Sequence, residues 1–363
     1  MPVSPRRSGT IHSDSPLVTP EELGLAVRNH GTPLEALRYS VTPIGMHYTL
    51  CHYDIPDVDP RRWSLEVEGR VRHRLVLSLE ALQARPTMTL SVTLECAGNG
   101  RALLSPRPIS QPWVLEAVGT AVWTGTPLWT LLGEAGILAG AIEVVFTGLD
   151  RGVRDGHEHA YAFSLPLGEA LREDVILAHT MNGQPLPPQH GFPLRLVAPG
   201  WYGMVSVKWL TGITVVAEPF RGGEQEVYWI KQSEEDEGVP VTRMMVRSLM
   251  VPPGIPDFLT RRRFLAPGRH IVTGRVWSGH GAVRSVDVSV DGAKTWHPAE
   301  LGAAESPVAW RPWSHVWLAE PGEYELCCRA SDDSGHTQPI TQNWNVRGMA
   351  NNAVQRVWVS VVA

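Results

Sequence analysis

The sequence predicts an α+β fold in which a mixed α+β domain is followed by an immunoglobulin-like β-sandwich. Three observations lead there. Strand and helix signals interleave up to about residue 240, with irregular Gly/Pro-rich turns that argue against a doubly wound sheet. Beyond Arg243 short alternating strands follow at regular spacing without a helix, over about 100 residues, the usual span of such a sandwich. A chain of 363 residues also exceeds what one hydrophobic core fills. The division expected is an arm at 1–40, the mixed domain at 41–240 and the sandwich at 241–363.

Each element has a local reason. The segment from Met1 to Thr10 carries a twin arginine, Arg6-Arg7, but no apolar stretch of the kind an export signal needs, so a cytoplasmic home is expected. Residues to about Tyr39 read as a mobile arm with one helix, started by Thr19-Pro20-Glu21-Glu22 with proline in the first turn. Trp63 to Gly69 alternates as a strand, Ser78 to Leu82 starts a short helix, and Leu90 to Leu94 is a strand that ends at Cys96. A helix at Pro127 to Leu132, a strand at Ile142 to Phe146 and a helix led by Ser164 with Pro166 just inside come next. Asn182 to Arg195 is loop with a strand at its end, and Glu224 to Val239 is an acidic linker containing the run Glu234 to Glu237. The sandwich strands are expected at 270–274, 285–290 with an Asp291-Gly292 turn, 314–318, 324–329 and 354–362. Arg261-Arg262-Arg263 reads as a solvated face.

Composition removes several functions. A net charge of -5 gives no electrostatic case for nucleic acid. No stretch approaches the roughly 20 apolar residues of a membrane span. Cys51, Cys96, Cys327 and Cys328 are too few and too irregular for a disulfide scaffold or a zinc site, and the last two should point to opposite faces of one strand. His157-Glu158-His159 sits in a Gly-rich charged stretch and reads as solvated. Gly31, Gly98 and Gly100 form no phosphate fingerprint, and no Ser/His/Asp arrangement has context.

Two stretches carry chemistry. Thr93 to Arg101 puts one thiol, Cys96, at the lip of a strand beside two glycines and a fixed cation, Arg101. Such a thiolate suits a soft or high-valent metal, and the plainer reading is a small buried cysteine beside a tight turn. From Asn182 to Trp209 the density of glycine and aromatic residues, Trp201, Tyr202 and Trp209 among them, suits a cavity for a large planar ligand. Arg195 and Lys208 would hold its phosphate, or else sit on solvated strand faces.

Glu95-Cys96-Ala97-Gly98-Asn99-Gly100-Arg101, then His190-Gly191-Phe192-Pro193-Leu194-Arg195, then Ser206-Val207-Lys208-Trp209-Leu210, with strands behind them, resemble the sulfite oxidase family of molybdenum enzymes. The resemblance implies a sulfite-oxidase-type cofactor domain, residues 41–240, and a dimerisation domain, 241–363. It implies one molybdopterin (pyranopterin dithiolene) carrying molybdenum, with Cys96 the protein's ligand to the metal. His52, Asp150, His190, Arg195, Ser206, Val207 and Lys208 would hold the cofactor, and Arg101, Trp113, Tyr228 and Arg356 would line the anion pocket. Where the family carries an Arg-Asn-His triplet, His47 to Pro56 stands here, with Leu50 in place of an anion-binding arginine. Arg28-Asn29-His30 repeats the triplet upstream without its context, and Arg28 folding back is one way to fill the gap. The implied activity is oxidation of sulfite to sulfate by oxygen-atom transfer. Another small oxyanion or a sulfoxide as substrate, and a cofactor-free binding or scaffold protein that keeps the fold, are the alternatives. The chain shows no haem segment, so electrons would pass to a separate cytochrome, a quinone-linked partner or oxygen, and a homodimer is expected.

Overall fold

Alternation along Ser64–Gly69 (β1) buries Leu65 and Val67 and turns Glu66 and Glu68 outward, and this period-two pattern sets the register of the first sheet. A computed structural model of the chain describes residues 10–15, 17–154 and 156–362, so Arg6-Arg7 lies outside the described residues. Thr19 caps Pro20–Ala26 (α1) in a full capping box with Glu22, as its sequence predicts. The arm is docked rather than mobile. Glu22 pairs with Arg107 at 2.8 Å in a buried site, and His12–Ser13 forms a short ladder with Arg107–Pro108.

Further along the chain come Leu75–Ser78 (β2), Leu79–Gln83 (α2) capped by Ser78, Met88–Glu95 (β3), Val118–Pro127 (β4) and Leu128–Ala135 (α3). Glu143–Arg154 (β5) and His157–Pro166 (β6) form a long hairpin, followed by Leu167–Ala170 (α4), Ile176–Met181 (β7), Arg195–Val197 (β8) and Leu210–Val216 (β9). One sheet has the order β2-β1-β9-β5-β6, with β9 parallel to β1. A second places β4 between β3 and β7, and β8 pairs with β7. Ser164 belongs to β6 and not to a helix cap, because its backbone is taken by the ladder to Val145. His157 and His159 likewise lie on that strand instead of in a loop.

The sandwich consists of Arg247–Met250 (β10), Arg263–Leu265 (β11), Gly268–Trp277 (β12), Val283–Ser289 (β13), Arg311–Ala319 (β14), Gly322–Asp332 (β15) and Gln355–Val361 (β16). β10-β12-β14 form one face and β11-β16-β15-β13 the other, so the class is the expected α+β with an immunoglobulin-like sandwich. Cys327 and Cys328 sit side by side on β15 as free, buried thiols. Arg263 departs from the solvated face expected of its triplet: its side chain is 5% exposed and meets Glu35 at 2.7 Å. The two parts share one apolar cluster, in which Leu249, Trp277 and Met349 join Ala97, Leu115 and Tyr202.

Candidate active site

Strand β3 delivers Cys96 to the end of its sheet. The Cys96 amide donates to Ala117 at 2.9 Å, and its carbonyl accepts from Asn99 at 3.0 Å to close the turn. Gly98 and Gly100 are required here. A Cβ on Gly98 would meet the Arg101 guanidinium at 2.8 Å, and Gly100, at φ 92°, lies against Asn351. Burial pushes the Cys96 thiol up, opposed by the charge of Arg101, the amide of Gly98 and the indole N–H of Trp113. That indole nitrogen is buried with no hydrogen-bond partner and packs beside Cys96.

A cleft opens in front of the thiol, lined by Cys96, His52, Asp150, His190, Arg195, Ser206, Val207, Lys208 and Tyr228 among others. The three motifs therefore converge, as does His52, whose Nε2 lies 3.1 Å from the Tyr228 hydroxyl. The cleft is polar in an unfinished way. His47 Nε2, Thr49 Oγ1, Asp150 Oδ1 and His190 Nε2 are buried without a partner. Buried polar atoms are ordinarily satisfied, so four orphans around one cleft fit a bound heterocycle that completes them.

The cations at the far end are held by carbonyls. Arg195 donates to His190 and Ser206 at 3.1 and 3.0 Å and lies 4.8 Å over the Trp123 ring. Lys208 Nζ donates to the carbonyls of Leu50 and Gln189 at 2.8 and 2.9 Å and lies 3.3 Å from the Cys51 sulfur. Burial lowers Arg195 to about 10 and Lys208 to about 8, and no carboxylate pairs with either among the described residues. Two buried cations without a salt-bridged carboxylate, Lys208 feeling only the more distant charge of Asp150, fit a phosphate. Burial also lowers His47 and His52 to about 4 and His190 to about 2, and raises Asp150 to about 6, so the three imidazoles are neutral near pH 7. Together with the soft thiol, these residues fit a molybdenum pterin.

A second, open funnel at the surface has Arg101, Arg154, Arg347, His157 and His159 on its wall, and the charge of Arg101 reaches Cys96. Arg101 is buried. It donates from Nε to the Arg347 carbonyl at 3.0 Å and from Nη1 to Ser110 at 2.9 Å, and it acts electrostatically on both Cys96 and Tyr228. Tyr228 and Glu224 come from the stretch expected to be a linker, yet both are buried, because Trp229–Ile230 pairs with Val239–Pro240 and pins the segment.

Arg356 is a correction. It stands on β16 in register with Cys327, its side chain is 38% exposed, and it pairs with Glu325 at 2.9 Å, so it faces the outside of the sandwich and not the funnel. The arginine that the second part contributes is Arg347, whose Nε is buried and unpartnered. Its place in Trp344-Asn345-Val346-Arg347-Gly348, a glycine-ended turn with an aromatic, was the available signal. Arg28 does not fill the gap at Leu50, since it donates to the Tyr53 carbonyl at 2.6 Å. His47, Tyr48 and Thr49 line the cleft and were missed as site residues.

A family model described as oxidoreductase molybdopterin binding domain matches residues 52–224, and one described as Mo-co oxidoreductase dimerisation domain matches 239–362. Mitochondrial sulfite oxidase of Rattus norvegicus is 37% identical, over 92% of this chain and 64% of that protein. Sulfite oxidase of Gallus gallus is 36% identical over 87% and 72%, and nitrate reductase [NADH] 2 of Phaseolus vulgaris 30% over 92% and 41%. The chain thus spans less than two thirds of the rat and bean proteins. The crystal structure of the sulfane dehydrogenase SoxCD from Paracoccus pantotrophus superposes with a TM-score of 0.80 at 25% identity, covering 97% of this chain and 88% of that one.

Proposed function

Because the chain belongs to the sulfite oxidase family of molybdopterin oxidoreductases, we propose that it catalyses oxygen-atom transfer to a small oxyanion, sulfite before others. The observation that carries this reading is the single thiol, Cys96, facing an unfinished polar cleft, with Arg101 of the arginine-walled funnel acting on it electrostatically. In the net reaction sulfite and water become sulfate, two protons and two electrons. When bound, the molybdenum pterin supplies the two-electron redox couple and the exchangeable oxygen.

The chain's own residues do the rest. Cys96 would ligate the metal, and the Trp113 N–H would stabilise its sulfur as thiolate. Neutral His47, His52 and His190 with Asp150 would hydrogen-bond the pterin; Arg195 and Lys208 would take its phosphate, beside the backbone of Ser206 and Val207. Arg101 and Arg347 would hold the anion against Cys96, and Tyr228 would donate its hydroxyl proton in a hydrogen bond to it. Electrons would leave to a separate acceptor, and two copies would pair through the sandwich. The chain would act as an arm, 1–40, a catalytic domain, 41–240, and a dimerisation domain, 241–363.

Elemental analysis and steady-state kinetics test this. About one molybdenum per chain and the highest kcat/KM on sulfite are expected; a better kcat/KM on nitrate or an organic sulfoxide would reassign the substrate. Protein free of molybdenum and pterin after expression in a host that makes both would return the chain to a binding scaffold. No helix among the described residues is long and apolar enough to cross a membrane.

A further inference from the structure

The funnel carries a third arginine, at the end of the long strand β5. Arg154 shares its wall with Arg101 and Arg347, and its side chain is 31% exposed. One nitrogen, Nη2, makes both of its contacts, to the two oxygens of Glu224 at 3.0 and 3.2 Å. Nε and Nη1 make no hydrogen bond among the described residues, so three N–H donors on two nitrogens are left over.

What aims this side chain is built deliberately. Glu224 is 1% exposed, accepts from the Tyr53 hydroxyl at 2.5 Å and has His159 Nε2 at 3.5 Å from the same oxygen. Tyr53 in turn bridges to His159 at 2.7 Å and lies flat over Gly152, where a Cβ would stand 1.9 Å from the ring. The hairpin end, the segment around Glu224 and the Tyr53 loop are thereby fixed to one another with Arg154 pointing into the approach. A salt bridge whose purpose was only to staple the hairpin would use the guanidinium with two nitrogens.

Charge decides what such a wall attracts. On the wall itself stand three guanidiniums and one carboxylate, Glu226 at the exposed rim; buried Glu224 lies behind Arg154 and Glu234 acts on Arg347 from beside Thr10, while Leu50 supplies only its carbonyl to Lys208. Clefts of one sign focus ions of the other and raise their local concentration.

We propose that Arg154 is a specificity-determining residue: held by Glu224 and Tyr53, it contacts the oxyanion at the funnel through the free N–H groups on its Nε and Nη1 and selects dianions over neutral substrates. The inference rests on the oxyanion reading above. It also assigns Glu224 a second job, that of tempering the cation so that the product anion can leave.

The test uses the full chain and inorganic sulfate as probe, titrated calorimetrically, with sulfite and dimethyl sulfoxide kinetics on the loaded enzyme. Arg154→Gln should weaken sulfate on the order of tenfold, raise KM for sulfite similarly with kcat retained, and leave dimethyl sulfoxide turnover unchanged. Arg154→Lys should recover part of the sulfate affinity, since it keeps charge and loses geometry. Glu224→Gln should tighten sulfate several-fold, a sign that a merely structural ion pair does not predict, and this variant decides the matter if Arg154→Gln fails to fold. Sulfate affinity unchanged in Arg154→Gln but lost in Arg101→Gln would overturn the role of Arg154 alone. Affinity unchanged in both would overturn the oxyanion reading with it.

Discussion

The carboxylate of Glu95, one residue before Cys96, meets the guanidinium of Arg247 on the first sandwich strand at 2.7 Å, with both side chains 1% exposed. Trp277 donates to its other oxygen at 2.8 Å and Asn99 to the first at 3.0 Å, while Arg247 Nη1 also reaches the Asn351 carbonyl at 2.9 Å. Nε and Nη2 of Arg247 remain buried without partners, so the pair is retained at a cost and positions the Cys96 turn.

Arg247→Met should therefore destabilise the chain by about 3–5 kcal/mol, since it strands a buried carboxylate, and adding Glu95→Met should restore most of that loss. Guanidinium unfolding of the three variants checks both. Recovery of stability in the double variant without recovery of metal content would separate the positioning role from the structural one.

Acid should weaken the cofactor-free protein through its cleft. His47 and His52 fall from 6.5 to about 4 and His190 to about 2 by burial, so each folded pKa is depressed and the stability tied to the neutral form is lost as pH falls below 6.5. Between pH 7 and 5 this amounts to about 2 kcal/mol per histidine. Asp150 works the opposite way: its pKa is raised to about 6, so its burden eases as pH drops through 6, by about 1 kcal/mol over the same interval. A net loss of about 5 kcal/mol from these four groups is expected in urea unfolding, and His52→Asn should flatten the profile by roughly one histidine's share.

Trp113→Phe removes a buried, unpartnered N–H packed beside Cys96 that lowers its thiol, and should raise the thiol further. In cofactor-free protein, alkylation of Cys96 at fixed pH should slow several-fold. An unchanged rate would mean that the indole does not act on the sulfur.

Gly152→Ala drives a methyl into the Tyr53 ring, 1.9 Å from the new carbon. The expected cost is about 1–3 kcal/mol of stability. Tyr53→Phe/Gly152→Ala should be no better, because the clash is with the ring and not the hydroxyl; thermal unfolding distinguishes them.

Much of the site was legible because its chemistry is local in sequence. Cys96 with its glycines, and Arg195 and Lys208 within one glycine-rich stretch, announce themselves through residue types that have few other uses there. The failures are long-range. Arg347 and Arg356 are both arginines near the end of the chain, and only the register of β16 against β15 shows that the second faces outward. Glu224 opens an acidic, polar stretch whose composition suggests solvent, and nothing nearby reveals the Arg154 and Tyr53 that bury it. Arg263 was misread for the same reason, since its partner Glu35 is more than two hundred residues away.

The loop before β16 reaches back under the Cys96 turn: Ala350 donates to Ala97 at 2.8 Å, Asn351 to the Gly100 carbonyl at 2.7 Å, and Arg347 accepts from Arg101. A gene cut between the two halves would therefore yield a front piece whose cysteine turn has lost its floor and a back piece carrying an orphaned arginine. The two halves are a single tool with one cutting edge, and any swap of the rear portion between relatives must bring the matching turn along with it.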